Sequence, residues 1–343
     1  MKSLLFLRNI LANILSWFPL RAFDSIRNGY FNSRKARGFK YTISKALIYI
    51  VRYRPIHNDI EVFELKDRPG VFIYNVDSKI VRLLYWYGSE GYEGKETLLW
   101  QVFCSNSKSV LELGGNIGYY SVLGGGVNNT LRYRVLEPHP VSFKILNKNK
   151  EINRLQNLEV IQKAVVGIKT QEKAELYVQE EDPDVAPSGA YLKVKGSEIN
   201  RTKKNCVLVD LVEAKELIAG VDLIKIDIEG LEQEVLSSIM DYLIANKPPI
   251  FLEVRNKAIL LKEFIADELL VKADYELYAI GHKELLRVKK EAVKTTNFLK
   301  LYGNRDVCFV KKGLWNKEKV PIENGMLGNT TWHINTPSRL RIA

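Results

Sequence analysis

The amino-acid sequence predicts an α/β protein whose central feature is a parallel, doubly wound β-sheet. From Ser109 onward, short continuous apolar runs alternate with segments that have the spacing of amphipathic helices. Strands that are apolar along their whole length are typical of a sheet that helices cover on both faces. The composition of the 343 residues, 46% hydrophobic and 27% charged, suits a globular chain of one large domain or two ordinary ones.

The predicted elements follow one another along the chain. The β-rich runs Ile60–Leu65 and Val71–Tyr74 precede an apolar, aromatic stretch, Val81–Tyr87. The predicted strands of the main sheet are Val110–Leu113, Tyr133–Glu137, Leu158–Val165, Leu223–Asp227 and Pro249–Val254. Two further β-rich runs are Ala174–Val178 and Tyr191–Val194. One helix opens at Gly118, and the others cover Val141–Asn153, Leu231–Leu243 and Ala258–Leu270. Tyr275–Ile280 and Val307–Val310 are expected to close the series as a hairpin.

The N-terminal segment Leu4–Trp17 has helical apolar spacing, and Pro19 is expected to end the helix. Polar residues interrupt this apolar stretch, which is already shorter than the ~20 residues that a membrane span needs. Two interpretations stay open. Residues 1–40 form a peripheral contact with an anionic membrane, or the helix packs on its own domain or on a dimer partner.

The positive charge of the chain is concentrated at its N-terminus. Residues 1–60 contain eleven Lys and Arg but only two acids, which gives +9 of the total formal charge of +11. The rest of the chain is nearly neutral, so the charge describes an extension and not a nucleic-acid-binding groove. We therefore do not expect nucleic acid as a partner.

The domain organisation follows from these changes in composition. We predict a basic, partly helical extension over residues 1–80, a main domain over 81–312 and a C-terminal tail over 313–343. The three cysteines are about a hundred residues apart, which fits neither a disulfide framework nor a zinc site. The expected location is the cytoplasm, where the protein could lie at the inner face of a membrane.

A glycine-rich turn follows the first strand of the main sheet. Glu112 precedes it, and Gly114, Gly115, Asn116 and Gly118 form it. Glycines allow a tight turn, and the helix that follows directs its free N–H groups toward a ligand. Asn116 stands where a dinucleotide-binding motif requires its second glycine, so the spacing favours S-adenosylmethionine over a nicotinamide cofactor.

The second and third strand ends extend the predicted cofactor site. Glu137 ends the second strand, and a carboxylate in that place can accept both hydroxyls of a ribose. Pro138 breaks the strand, and His139 is expected to contact the adenosine. Ala164, at the end of the third strand, would flank the adenine.

The fourth and fifth strand ends carry charged residues. Alternation places Lys225 and Asp227 on one face of the fourth strand, with Glu229 just beyond its end and Glu253 ending the fifth. Charges at buried strand ends are costly unless they are paired or used. Asp227 is therefore a candidate for both cofactor binding and catalysis, and Glu229 and Glu253 are candidate catalytic carboxylates.

These motifs together resemble the FkbM family of S-adenosylmethionine-dependent methyltransferases. The resemblance covers about residues 90–312 and depends most on the Ile-Lys-Ile-Asp-Ile-Glu-Gly segment that ends at Gly230. It implies a Rossmann-like class I methyltransferase fold with a seven-stranded sheet and an antiparallel final hairpin. It further implies O-methylation of a glycan, glycolipid or natural-product hydroxyl, as in polysaccharide biosynthesis.

The expected mechanism is an in-line displacement that needs a base for the acceptor hydroxyl. Asp227 would take the proton, or it would hold a divalent cation that acidifies the hydroxyl; we do not expect the cation. Tyr92, Glu96 and Lys225 are candidate acceptor contacts, Glu96 because the family often has an acid in that region. The aromatic stretch Tyr87–Glu96 and the insertion Glu180–Lys195 would line the acceptor pocket.

Two other functions compete with this one. A nucleic-acid methyltransferase would use the basic N-terminal segment, but the strand that ends at Asp227 lacks the Pro-Pro-aromatic sequence typical of amino-group enzymes. A non-catalytic Rossmann-type binding module would keep the fold without the reaction. The oligomeric state is not predicted.

Overall fold

A computed structural model describes most of the chain, and the described part separates into two compact units, Met1–Gly94 and Lys95–Ala343. The described residues are 10–36, 38–178, 187, 190–193, 205–255, 257–281, 284–294, 305–315, 317, 319–323 and 326–327. Most of the predicted acceptor-pocket insertion and most of the C-terminal tail therefore lie outside the described residues. The domain boundaries after residues 80 and 312 stay predictions.

The first unit is mainly helical. Its elements are the helical residues 10–16 (α1), a 3₁₀ turn at Leu20–Phe23, α2 (Asp24–Ser33), α3 (Phe39–Val51), β1 (Val62–Glu64), β2 (Phe72–Tyr74), α4 (Lys79–Tyr87) and a 3₁₀ turn at Gly88–Gly91. The described part of the predicted N-terminal helix is helical and ends before Pro19, as expected. The aromatic stretch that follows β2 is helical, with Ser78 capping its N-terminus by accepting a hydrogen bond from the Ile80 N–H at 3.2 Å. Within the described residues, no helix is long and apolar enough to cross a membrane.

The second unit alternates helices and strands. Its first elements are α5 (Gly94–Ser105), β3 (Ser109–Leu113), α6 (Tyr119–Gly125), β4 (Arg132–Leu136), α7 (Pro140–Ile152), β5 (Leu158–Ile161) and β6 (Ala164–Val166). Then come β7 (Lys173–Val178), β8 (Ala190–Lys193), β9 (Asn205–Glu213), α8 (Ala214–Leu217), β10 (Leu223–Ile226), α9 (Glu232–Ser238), α10 (Met240–Asn246) and β11 (Ile250–Glu253). The last elements are α11 (Ile259–Phe264), a π-helix at Ile265–Lys272, β12 (Tyr275–Ile280), β13 (Glu284–Val288), α12 (Lys290–Val293), β14 (Asp306–Lys311), β15 (Lys319–Glu323) and β16 (Met326–Leu327).

The main sheet confirms the predicted fold class. Seven of its strands have the order β5-β4-β3-β10-β11-β14-β12, and β5 to β11 pair in parallel. β14 is antiparallel to both of its neighbours, so it is the one reversed strand among the seven. Strands β13, β15 and β16 extend the sheet beyond β12. The core strands β3 and β10 are buried along their whole length, as a sheet covered on both faces requires.

The structure corrects several predicted elements. Tyr275–Ile280 does pair with β14, but its hairpin partner is β13, and β14 returns to insert between β11 and β12. The predicted third strand is two strands, because the chain turns after Ile161 and β6 joins a separate four-stranded sheet of order β6-β9-β7-β8. The long strand β9 in that sheet was not predicted. The predicted helix 231–243 is broken between α9 and α10, and the predicted helix 258–270 continues as the π-helix.

Candidate functional site

The glycine turn after β3 is held by contacts with the two neighbouring strand ends. The Gly114 and Gly115 N–H groups donate to the Leu136 carbonyl at 3.0 and 2.9 Å. Gly114 has φ +88°, and a Cβ atom there would lie 1.9 Å from the Asp227 carbonyl oxygen. Only glycine therefore fits at this position. The contact also sets the turn directly beside the end of β10, where the predicted catalytic carboxylates begin.

Helix α7 supports the same turn from the other side. The buried Asn149 amide donates to the Ile117 carbonyl at 2.7 Å. A Cβ atom on Gly115 would lie 2.4 Å from Val135 Cγ2 and 2.7 Å from Leu146 Cδ1. The predicted glycines thus permit close packing of the turn between β4 and α7.

Glu112 lies beneath the turn and is almost fully buried, at 1% exposure. Its Oε2 atom accepts hydrogen bonds from Ser121 Oγ and the Tyr133 hydroxyl, both at 2.6 Å. Burial raises the pKa of the Glu112 carboxyl, and Lys225 on the adjacent strand opposes that rise. The observed partners fix β3 to α6 and β4, so the structure gives Glu112 a supporting position. Its direct contact with a cofactor stays a prediction.

Glu137 lies at the end of β4, facing the turn. Its two carboxylate oxygens accept the backbone N–H groups of Asn116 at 2.7 Å and of His139 at 2.9 Å. Burial raises the pKa of Glu137 to about 7, and these two N–H groups limit the rise. Each carboxylate oxygen has a second lone pair, so the side chain can still accept hydroxyl donors. This is the arrangement that the sequence predicted for a ribose-binding acid.

The other predicted cofactor contacts are Asn116, Pro138, His139 and Ala164. Asn116 has φ +47°, and its Nδ2 atom lies 3.5 Å from the carbonyl oxygen of Pro187. Pro138 is half-buried, and His139 is the buried N-cap residue of α7. Ala164 is buried at the start of β6, where it pairs with Leu211 of β9. Their roles in binding stay predictions.

The three predicted catalytic carboxylates come together in space. Asp227, Glu229 and Glu253 each place one oxygen so that all three atoms lie within 4.8 Å of one another. The side chains are half-buried, and that of Asp227 is the most exposed of the three at 40%. A group of this size could hold a metal ion by distance alone. The other side chains that contact the carboxylates show whether a metal ion is needed to balance their charge.

Each carboxylate of this cluster has a basic partner. Lys225 Nζ lies 3.5 Å from Asp227 and 4.5 Å from the centre of the Tyr120 ring. Arg255 pairs with Glu229 and lies 3.6 Å from Glu253. Arg305 pairs with Glu253 at 2.9 Å. Three positive side chains thus face three negative ones, and a divalent cation would compete with Arg255 for the same oxygens.

The loop after β10 has a strained conformation that directs these groups. Glu229 has φ +60° and Gly230 has φ +119°. Left-handed backbone at a residue other than glycine is unfavourable and tends to occur at functional sites. The buried Glu232 carboxylate accepts the Gly230 N–H at 2.9 Å and holds the loop closed. Burial raises the pKa of Glu232, with the backbone N–H groups opposing the rise.

The predicted acceptor contacts fall into two groups. Lys225 is part of the site, since it pairs with Asp227. Glu96 is half-buried in the first turn of α5, and Tyr92 is half-buried after the 3₁₀ turn that ends the first unit. Contact of Glu96 or Tyr92 with an acceptor stays a prediction.

Sequence reasoning missed several residues of the site. No role was predicted for Arg255, Arg305 or Glu232, and the donors to Glu112 were not identified. Arg255 follows Glu253 by two residues on the same strand end, which was a usable signal. Arg305 had none, because it reaches the site only through the reversed strand β14.

A family model matches the part of the chain that contains most of this site. Residues 112–276, slightly less than half of the chain, match the family model of the methyltransferase FkbM domain. The match begins at Glu112 and includes the carboxylates at the ends of both β10 and β11. No curated protein matches the chain by sequence.

Solved methyltransferase structures are similar at low identity. A methyltransferase FkbM from Methylobacillus flagellatus is 15% identical with a TM-score of 0.36, and the alignment covers 68% of this chain and 55% of that one. A precorrin-6y C5,15-methyltransferase from Geobacter metallireducens is 11% identical with a TM-score of 0.35, covering 64% and 89%. An O-methyltransferase from Bacillus cereus in complex with SAH is 12% identical with a TM-score of 0.31, covering 63% and 80%. This chain therefore spans just over half the length of the Methylobacillus protein.

Proposed function

We propose that the chain transfers the methyl group of S-adenosylmethionine to a hydroxyl of a glycan or glycolipid, because residues 112–276 match the family model of the methyltransferase FkbM domain. One observation carries the proposal. The glycine turn and the carboxylate cluster meet at a single point, where Gly114 packs directly on the Asp227 backbone. A methyl donor in the turn and an acceptor at the cluster would therefore be neighbours.

The residues around the turn suit this cofactor. The Glu137 carboxylate is held by two backbone N–H groups and keeps acceptor capacity for the two ribose hydroxyls. Asn116 stands where the dinucleotide motif has its second glycine, and its side chain argues against the close approach of a pyrophosphate to the backbone. S-adenosylmethionine, when bound, supplies an activated methyl group on a sulfonium and leaves as S-adenosylhomocysteine.

Asp227 is the proposed general base. It is the most exposed of the three carboxylates, so it is the one that an acceptor hydroxyl can approach. The acceptor oxygen bonds to the methyl carbon as the carbon–sulfur bond breaks, and the hydroxyl proton moves to Asp227. Lys225, at 3.5 Å, orients the carboxylate.

The base assignment has a direct test. Asp227→Asn removes the proton acceptor, and we expect kcat to fall roughly 100- to 10,000-fold with a small change in S-adenosylmethionine affinity. Asp210→Asn on β9 is the matched control, since that aspartate makes only an exposed pair with Lys173 among the described contacts. An Asp227→Asn variant with unchanged kcat would exclude Asp227 as the base.

The acceptor class is tested with labelled cofactor. S-adenosylmethionine carrying a labelled methyl group would be incubated with polysaccharide and glycolipid fractions, and the labelled product identified. We expect label in a base-stable methyl ether of a sugar. Label only in protein or small amines would contradict O-methylation of a glycan but not methyl transfer itself.

A further inference from the structure

Helix α3 of the first unit exposes an unusually apolar face. Phe39, Ile43, Leu47 and Ile50 are 80%, 44%, 39% and 48% exposed. Their spacing of four, four and three residues places them on one side of the helix. We call these four side chains the α3 face. Four large apolar side chains along one helix side form a continuous patch, unlike single apolar residues scattered on a surface.

The opposite side of α3 already packs within the first unit. Ile48 and Val51 are buried, and Tyr41 stacks on the buried Tyr30 ring at 5.7 Å. The helix is therefore apolar on both sides, whereas a surface helix usually turns a polar side to water. Packing within the first unit explains why one side of α3 is apolar. It does not explain why the exposed α3 face is apolar as well.

The charges around α3 indicate what covers this face. Residues 25–58 contain eight Lys and Arg and no acidic residue. Arg27 and Arg54 are buried and serve the fold, donating to the Tyr85 carbonyl and to Asp59. Lys35, Lys40 and Lys45 are exposed. Lys40 lies two turns before Leu47 and therefore flanks the apolar strip, whereas Lys45 lies near the Tyr41 ring on the other side of the helix. An apolar strip flanked by a lysine, in a segment with no acidic residue, suits an anionic lipid surface, which accepts both.

We propose that the α3 face is the surface by which this protein binds an anionic bilayer peripherally. The sequence predicted such contact for residues 1–40; the exposed side chains extend it to Ile50. Trp17 and Phe18, 81% and 52% exposed at the end of α1, add aromatic side chains of the kind that settle at membrane interfaces. The proposal concerns attachment and does not depend on methyl transfer.

A second copy of the chain is a poorer partner for this face. Lys40 lies two turns before Leu47 and so flanks the face, and pairing of two identical faces around a two-fold axis would bring it close to the same lysine of the other copy. That repulsion has no acidic compensation in residues 25–58. Anionic headgroups convert the same charges into attraction, worth about 1 kcal/mol for each basic residue near the surface.

The test is co-sedimentation of the full chain with vesicles of phosphatidylcholine alone or mixed with phosphatidylglycerol. The test variant is the double substitution Ile43→Glu with Leu47→Glu. The matched control is Ile168→Glu with Val271→Glu, which changes two apolar residues that are 69% and 55% exposed in the second unit. Circular dichroism of each variant shows whether the fold is kept.

We expect the native chain and the control to pellet with the mixed vesicles, more weakly at high salt, and the test variant to bind at least about tenfold more weakly. Failure of the native chain to pellet at low salt would overturn the proposal. Equal pelleting of the folded test variant would also overturn it. A dimer in sedimentation equilibrium that the test variant loses, without vesicle binding, would assign the face to a second copy instead.

Discussion

Glu137 shows at the residue scale how burial changes the titration of a proposed binding group. Its carboxyl is surrounded by protein, and the two N–H groups that it accepts only partly offset the loss of water, so its pKa rises to about 7. A group with a raised pKa is protonated over much of the range below neutrality. The strength with which it accepts ribose hydroxyls should therefore change near physiological pH.

This gives a prediction for cofactor binding. Between pH 6 and pH 8 Glu137 passes from mostly protonated to mostly ionised, so we expect S-adenosylmethionine affinity to rise several-fold, at most about tenfold. Calorimetric titration across this range measures it. Glu137→Gln cannot ionise and should bind weakly with a flat pH profile. A profile in Glu137→Gln as steep as the native one would assign the titration to another group.

The same shift has a consequence for stability. The folded pKa lies above the ordinary value of 4.5, so the stabilisation from the bound proton is complete below pH 4.5 and is lost as pH rises through about 7. From pH 5 to pH 8 the free energy of unfolding of the native chain should therefore fall relative to that of Glu137→Gln, which cannot ionise; the variant also loses one of the two N–H hydrogen bonds at both pH values, because an amide has a single acceptor oxygen. Urea unfolding at both pH values checks the sign.

Gly114 allows a test of the contact on which the site depends. Gly114→Ala would place a methyl group 1.9 Å from the Asp227 carbonyl at φ +88°, and we expect it to cost about 3 kcal/mol or more. Gly220→Ala is the matched control, with φ +72° and no atom within 4 Å of the added carbon. It should cost about 1 kcal/mol from backbone strain alone. Equal costs in urea unfolding would mean that the turn can move away from β10.

At the element scale, the site is made by the ends of β10 and β11 with the start of β14. The parallel pairing of β10 with β11 brings Asp227, Glu229 and Glu253 together, and the reversed strand β14 delivers Arg305 to the same edge. Sequence reasoning placed the carboxylates correctly because parallel strands end at one edge of a sheet. It missed Arg305 because that residue meets Glu253 only through pairing between strands far apart in the chain, whereas Arg255 lies two residues from Glu253 and had a local signal.

The arginine pairing predicts metal independence. Native activity should survive exhaustive chelation, since Arg255 already occupies Glu229 and Glu253. Arg255→Ala leaves Glu229 without this partner, and we expect that variant to bind Mn²⁺ measurably by electron paramagnetic resonance. Arg255→Lys keeps the charge and should not. Loss of native activity on chelation, with recovery on adding Mn²⁺, would show that a cation is part of the site.

At the scale of the whole molecule, most of the net positive charge and the candidate site lie in different parts of the chain. Residues 1–60 carry +9, whereas the candidate site lies in the second unit, between residues 112 and 305. A separate basic segment of this kind suits attachment to an anionic surface, whereas a nucleic-acid methyltransferase would need basic residues around the site itself.

This segregation predicts the behaviour of the chain toward RNA. Binding in a filter assay should be weak, non-specific and steeply reduced by salt, and removal of residues 1–60 should abolish it. No labelled methyl group should enter RNA under conditions where the glycan fraction is labelled. Salt-resistant RNA binding with methyl incorporation would instead favour the nucleic-acid methyltransferase.

The amino-acid sequence by itself determined the α/β class, the positions of most strands, the glycine turn and the three carboxylates. These follow from local periodicity and from motifs that are contiguous in the chain. Tertiary structure alone decided the insertion of β14, the separate small sheet with β9, and the pairing of Arg305 with Glu253. The physical reason is the separation of the residues along the chain. Gly114 and Asp227, or Glu253 and Arg305, come into contact only when the order of the strands in the sheet is set. Strand order depends on packing across the whole sheet and leaves little trace in any short stretch of sequence.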